Sequence, residues 1–270
     1  MNMTIDFDGQ RFDVAWQNPL DISMPLQFDG AQPRFFGAPA ARQNPLAAGG
    51  FVGDTRQGGS CNVDELRLIP HCNGTHTECI GHIAEARISL HDTLKKAFFL
   101  AQLITITPES AGSTSDQYRP ALQQQDKVIT AAALRQAWHN QIAPALVIRT
   151  LPNLPAKKFQ DYDSKPAPFF SLDAMKLIAA SPVQHLLVDL PSLDRGNDDG
   201  LMAAHHLYWD VPQGSNRVDP ASCSLKTVTE MIYVPDEIAD GLYLLNLQCP
   251  GFMSDAVPSR PLLFALSSAR

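Results

Sequence analysis

A layered α/β fold is what this sequence predicts, on three observations. Apolar, β-branched runs of strand length recur along its 270 residues, at 97–107, 145–150 and 185–190. Helix-compatible stretches with a hydroxyl residue at the capping position fall between them, 131–140 after Thr130 and 172–180 after Ser171. Strands alternating with helices, in a chain 44% hydrophobic and 18% charged, favour packed layers around a large core over a sandwich.

The remaining elements follow in order. The first 50 residues are rich in Pro, Gly, Gln and Asn with short apolar pieces, so an extended N-terminal arm and edge strands are expected there. Residues 62–69 roughly alternate apolar and polar, a strand leading into a histidine-rich segment. A third helix is expected around 201–208, and 227–233, 241–249 and 262–266 read as closing strands. With no internal repeat and no low-complexity tail, one domain over 1–270 is expected.

Composition narrows the function classes. A net charge of −7 and no cluster of Lys and Arg leave no basic face for a phosphate backbone, so nucleic acid is not an expected partner. No apolar run approaches the ~18 residues of a membrane span. The first ten residues carry Asp6 and Asp8 and no basic segment leading into an apolar one, which with five sparse cysteines points to the cytoplasm. Cys61, Cys223 and Cys249 are expected to be buried small apolar residues.

The stretch His71-Cys72-Asn73-Gly74-Thr75-His76-Thr77-Glu78-Cys79-Ile80-Gly81-His82 carries the chemistry. It gathers three of eight histidines, two of five cysteines and a carboxylate. In an extended chain alternate residues share a face, so Cys72, His76, Glu78 and His82 would point the same way. A straight strand would separate Cys72 from His82 by about 33 Å, too far for one ion. The chain must bend, and Gly74 and Gly81 are where positive φ would allow it. The same residues would also suit a half-buried strand with its polar side turned to water. A second polar cluster lies later: His205 and His206 on a helix, pointing about 100° apart, and Glu230 in an apolar strand, where burial demands a partner.

The run from Gly74 to His82 resembles the H-x-x-x-H-x-D-x-P-x-H signature of the metal-dependent cyclase and kynurenine formamidase family. Asp21-Ile22-Ser23-Met24-Pro25-Leu26 resembles that family's opening strand and turn. Residues 145–150, 170–180 and 188–194, then Ala204-His205-His206 and Thr229-Glu230-Met231, follow in the family's order. The resemblance implies the swivelling β/β/α type of fold, with a mixed sheet or barrel flanked by helices, and a homodimer or larger homo-oligomer. It implies metal ligation by Cys72, His76, Glu78, His205 and Glu230, and proton transfer by His82. His71 is the alternative to Cys72, and His206 to His205. The activity implied is hydrolysis of a C–N amide bond in a small molecule of the N-formylkynurenine type, as an arylformamidase of tryptophan catabolism would perform. Phe35 and Phe36 fall near the family's aromatic substrate-contacting stretch, although core positions are the commoner fate of aromatics.

Four departures accompany the resemblance: Cys72 for His, Glu78 for Asp, Ile80 for Pro, and a longer segment between His206 and Glu230. A thiolate at Cys72 would favour Zn2+, as one or two ions, over Mn2+. Rival expectations are a metal-dependent lactonase or cyclase, a non-catalytic zinc-binding protein, and a thiol hydrolase using Cys72 or Cys79 as nucleophile.

Overall fold

The expected centre of the sheet forms from the three apolar runs. In the computed structural model, which describes residues 3–139 and 143–269, they become the parallel strands Phe98–Ile106, Ala145–Thr150 and His185–Val188. Ala145–Thr150 is buried at all six positions, as a strand covered on both faces must be. Its alternate residues divide between two cores. Leu146 and Ile148 join Leu134, Trp138, Met175, Ile178, Tyr208 and Trp209 beneath the helices. Ala145 and Val147 join Phe99, Leu103, Ile232, Leu245 and Leu263 on the opposite face.

The helices are short and capped as expected. Thr130 accepts from the Ala133 N–H before helix Ala131–Ala137, and Ser171 from the Ala174 N–H before Leu172–Ala179. Residue 140, the expected end of the first of these, lies outside the described residues. The helix expected around 201–208 is Ala203–Tyr208, and a one-turn helix not foreseen from sequence lies at Leu90–Thr93.

The architecture is mixed α/β, with an 11-stranded mixed sheet. Thr227–Glu230 continues the parallel set beside His185–Val188. His76–Cys79 then pairs antiparallel with Thr227–Glu230, and Ala256–Pro258 antiparallel with His76–Cys79 at the sheet's edge. At the other end lie Gly241–Asn246, Leu262–Ser268 and the hairpin Met3–Phe7/Gln10–Val14. The N-terminal arm thus supplies edge strands. The expected strand at 62–69 is Asp64–Arg67, exposed throughout and paired with Arg42–Pro45.

Two expectations change. Cys61 is exposed in a surface loop, and Cys223 and Cys249 are half-buried in loops packed against the rim of the larger core. Phe36 is 75% exposed at φ +60°, while Phe35 packs against Met24, Met231 and Tyr233. No helix among the described residues is long and apolar enough to cross a membrane.

Candidate metal centre

Register brings the first and last thirds of the chain together. Glu230 lies directly opposite His76, and Val228 opposite Glu78, so the three polar side chains share one face. All three are buried. Helix Ala203–Tyr208 carries His205 onto the same face, its Nε2 3.1 Å from Glu78 Oε1 and 3.5 Å from Glu230 Oε1.

Two imidazoles are oriented from behind. His76 Nδ1 donates to the Gly74 carbonyl at 2.9 Å, leaving Nε2 bare and 3.4 Å from Glu230 Oε2. Gly74 sits at φ +134°, a conformation open to glycine, at the turn before the strand. His205 Nδ1 donates to Asp194 Oδ2 at 2.6 Å. Asp194 also accepts from the Ala204 and His205 N–H groups and from Tyr118 Oη, so one carboxylate both caps the helix and aims its histidine.

Burial disfavours the charge on Glu78, yet His82, His205 and His71 together hold its carboxyl well below the usual range. Burial likewise opposes the charged form of His205, and Asp194, Glu230 and Glu78 outweigh it, raising its pKa well above the ordinary value. Among the described residues, no lysine or arginine pairs with Glu78 or Glu230.

The mouth of the site is half-exposed. His71 Nε2 lies 3.1 Å from Asp255 Oδ2 and 3.5 Å from Glu78 Oε2. The His82 ring stacks on His71 at 4.4 Å between centroids, its Nε2 3.9 Å from Glu78 and its Nδ1 3.8 Å from Asp255.

Ligand-type atoms converge in three groups, each within 4.8 Å: His76, Glu78 and Glu230; Glu78, His82 and His205; and His71, His82 and Asp255. The residues fit a divalent cation. His71 Nε2, His76 Nε2 and Glu78 Oε2 are buried with no hydrogen-bond partner, although each borders an opposite or complementary group. Orphans in two adjoining groups of ligand-type atoms suit bound cations, since buried polar atoms are otherwise paired.

Five of the expected residues, His76, Glu78, His82, His205 and Glu230, are brought together. Cys72 is buried, belongs to none of the three groups, and its thiol is pushed up to about 11, chiefly by burial. His71 beside it joins the cluster. The parity that favoured Cys72 presumes extended backbone, whereas 69–73 is a tight turn: Cys72 and Asn73 N–H both donate to the Ile69 carbonyl, and Asn73 Oδ1 accepts from Ile69 N–H. His206 belongs to none of the groups. The bend before His82 is the short turn Ile80–His82, and Gly81 serves it by closeness and not by positive φ: a Cβ there would lie 2.1 Å from the Ile88 carbonyl and 2.9 Å from Asp255 Cβ.

Asp194 and Asp255 escape sequence reasoning. Asp194 lies in the stretch that resembles the family, but nothing local marks it as the partner of a histidine eleven residues on. Asp255 follows a loop and gains meaning only through the pairing of Ala256 with Glu78.

A family model described as Putative cyclase matches residues 20–195. Among solved structures, an isatin hydrolase bound to the product analogue thioisatinate is similar at TM-score 0.62 and 15% identity, over 93% of each chain. Isatin hydrolase A from Labrenzia aggregata is similar at TM-score 0.61 and 16% identity, over 92% of this chain and 93% of that one. A structure described as a predicted metal-dependent hydrolase from Bacillus stearothermophilus is similar at TM-score 0.58 and 16% identity, over 92% and 98%. No curated protein matches the sequence.

Proposed function

The chain belongs to the Putative cyclase family, and from that premise we propose that it is a metal-dependent hydrolase cleaving the C–N amide bond of a small aryl amide, in the manner of an arylformamidase. The observation that carries the reading is the convergence of His76, Glu78, His205 and Glu230, with His71 at the mouth, around unpartnered buried donor atoms. His71 takes the place that Cys72 was expected to fill. Without a thiolate the donor set is imidazole and carboxylate, which suits Zn2+ and no longer disfavours Mn2+.

These residues would hold a divalent ion, which when bound would supply Lewis acidity toward the scissile carbonyl and lower the pKa of a water. His82, half-exposed and beside Glu78, accepts the attacking water's proton at Nε2 and delivers it to the nitrogen as the C–N bond breaks. The fold similarity to isatin hydrolases agrees with this choice of bond, isatin being an aryl amide closed into a ring.

The rivals fare worse on geometry. A closed structural zinc site would not leave His71, His82 and Asp255 about a quarter exposed (27%, 27% and 26%). A thiol hydrolase needs thiolate, and burial pushes both Cys72 and Cys79 up to about 11. Assembly as a homodimer or larger homo-oligomer is part of the proposal, prompted by the exposed side chains of Leu66, on the ladder of Arg42–Pro45 with Asp64–Arg67, and of Leu46 just beyond it, and sedimentation velocity tests it.

Metal analysis of the purified protein, followed by turnover of N-formylkynurenine, isatin and an aryl lactone with and without the ion, tests the function. Amide cleavage that chelation abolishes is expected; lactone cleavage alone would make the enzyme a lactonase. The variant His82→Ala should keep its metal and lose at least ~100-fold in turnover, and metal loss in that variant would mean His82 is a ligand.

A further inference from the structure

We infer that Asp255 is a ligand of this metal centre, contributed from the C-terminal edge of the sheet and sharing an ion with His71 at the outer side of the cluster. This rests on the metal-centre reading above and names a donor that the family signature does not contain. Three observations carry it.

The first is the surroundings of His71 Nε2. That nitrogen is buried and faces two carboxylate oxygens, Asp255 Oδ2 at 3.1 Å and Glu78 Oε2 at 3.5 Å. Glu78 Oε2 is itself without a hydrogen-bond partner. A cation among these atoms would satisfy all of them at once, and the ligand-type atoms of His71, His82 and Asp255 lie within 4.8 Å of one another. Among the described residues no lysine or arginine pairs with Asp255.

The second is the division of labour on Glu78. Its Oε1 faces His205 at 3.1 Å, on the side of Glu230 and His76, while its Oε2 faces His71. The inner side of the cluster already holds two carboxylates and two imidazoles. Asp255 gives the outer side a carboxylate of its own.

The third is Gly81. Asp255 precedes Ala256, which pairs with Glu78, and the Asp255 carbonyl accepts from Cys79 N–H at 3.0 Å. This anchors the aspartate against the 76–82 segment, and the missing side chain at Gly81 admits both the Ile88 carbonyl, 2.1 Å from where a Cβ would stand, and Asp255 Cβ at 2.9 Å.

Titration of the metal-stripped wild type and of Asp255→Asn with Zn2+ and with Mn2+, by calorimetry and elemental analysis, tests the assignment without reference to turnover. The variant is expected to bind one equivalent fewer, or to bind at least ~100-fold more weakly, beyond the loss that an outer partner produces. Binding within threefold of wild type would overturn it. So would full metal occupancy with reduced turnover, which would make Asp255 a group that positions His82 through Nδ1. A wild type that binds neither ion would remove the metal-centre reading itself, a failure distinct from the variant's. Should Asp255→Asn not fold, anomalous scattering from metal-soaked wild-type crystals decides: a peak about 2.0–2.2 Å from an Asp255 oxygen is expected, and a peak away from it overturns the assignment.

Discussion

Two buried histidines, one in the sheet and one on a helix laid against it, have pKa values shifted in opposite directions. His185 opens a central parallel strand, its Nδ1 bonded to Thr227 Oγ1 and its ring 3.9 Å from that of Phe99. Burial, with a smaller contribution from Lys96, lowers its pKa to about 4. His205 lies over the antiparallel end, where Asp194, Glu230 and Glu78 overcome a fuller enclosure and raise its pKa. The backbone is equally buried at both places: His185–Val188 and His76–Cys79 are covered at every residue. What differs is the filling. The centre is closed by Leu, Val and Ile, and the far end by carboxylates and imidazoles whose negative charge calls for a cation.

The largest effect that could break this contrast is removal of the carboxylate both sides of the cluster share. Glu78→Ala should abolish measurable ion binding and turnover, a loss well beyond the roughly 10- to 100-fold of an outer-partner change. Isothermal titration and a turnover assay check this together, and a variant that still binds tightly would mean that the ion sits elsewhere.

The centre offers the next largest effect. His185 is neutral in the folded chain down to about pH 4 but takes up a proton near pH 6.5 once unfolded. The unfolded state therefore binds more protons between those values, and stability falls as pH drops through that window. By pH 4 the loss amounts to about 3 kcal/mol. Denaturant melts of wild type and His185→Asn across pH 4–7 should differ by that slope; parallel curves would place the titration in other groups.

The smallest effect sharpens the comparison. Asp194→Asn keeps the shape of the helix cap but weakens the acceptor behind His205, so ion affinity should fall roughly 10- to 100-fold while the fold is retained. Unchanged affinity would reduce Asp194 to a cap alone.

The same contrast governs what the sequence disclosed. The central strands and the Thr130 and Ser171 caps are legible because apolar runs and hydroxyl caps act locally. His76, Glu78 and His82 are legible for a similar reason, since the first two lie on a true strand, His76–Cys79. The first ligand is not. The choice between His71 and Cys72 depends on a turn closed by the Asn73 side chain, and alternation cannot foresee that turn. Asp194 and Asp255 are single carboxylates in loops, and their roles arise from register and from the gap at Gly81. The exposure of Cys61 escapes the general tendency of free cysteines toward burial because its loop runs from the short turn Thr55–Gln57 to the exposed strand Asp64–Arg67.

The central claim is that the polar end of the sheet is built around a divalent cation, and titration of the metal-stripped wild type with Zn2+ at several pH values tests it most directly. Because His205 is held protonated above its usual range, binding should be saturable, should release protons, and should weaken as pH falls. Absence of binding, or binding with no proton release and no dependence on pH, would contradict the account.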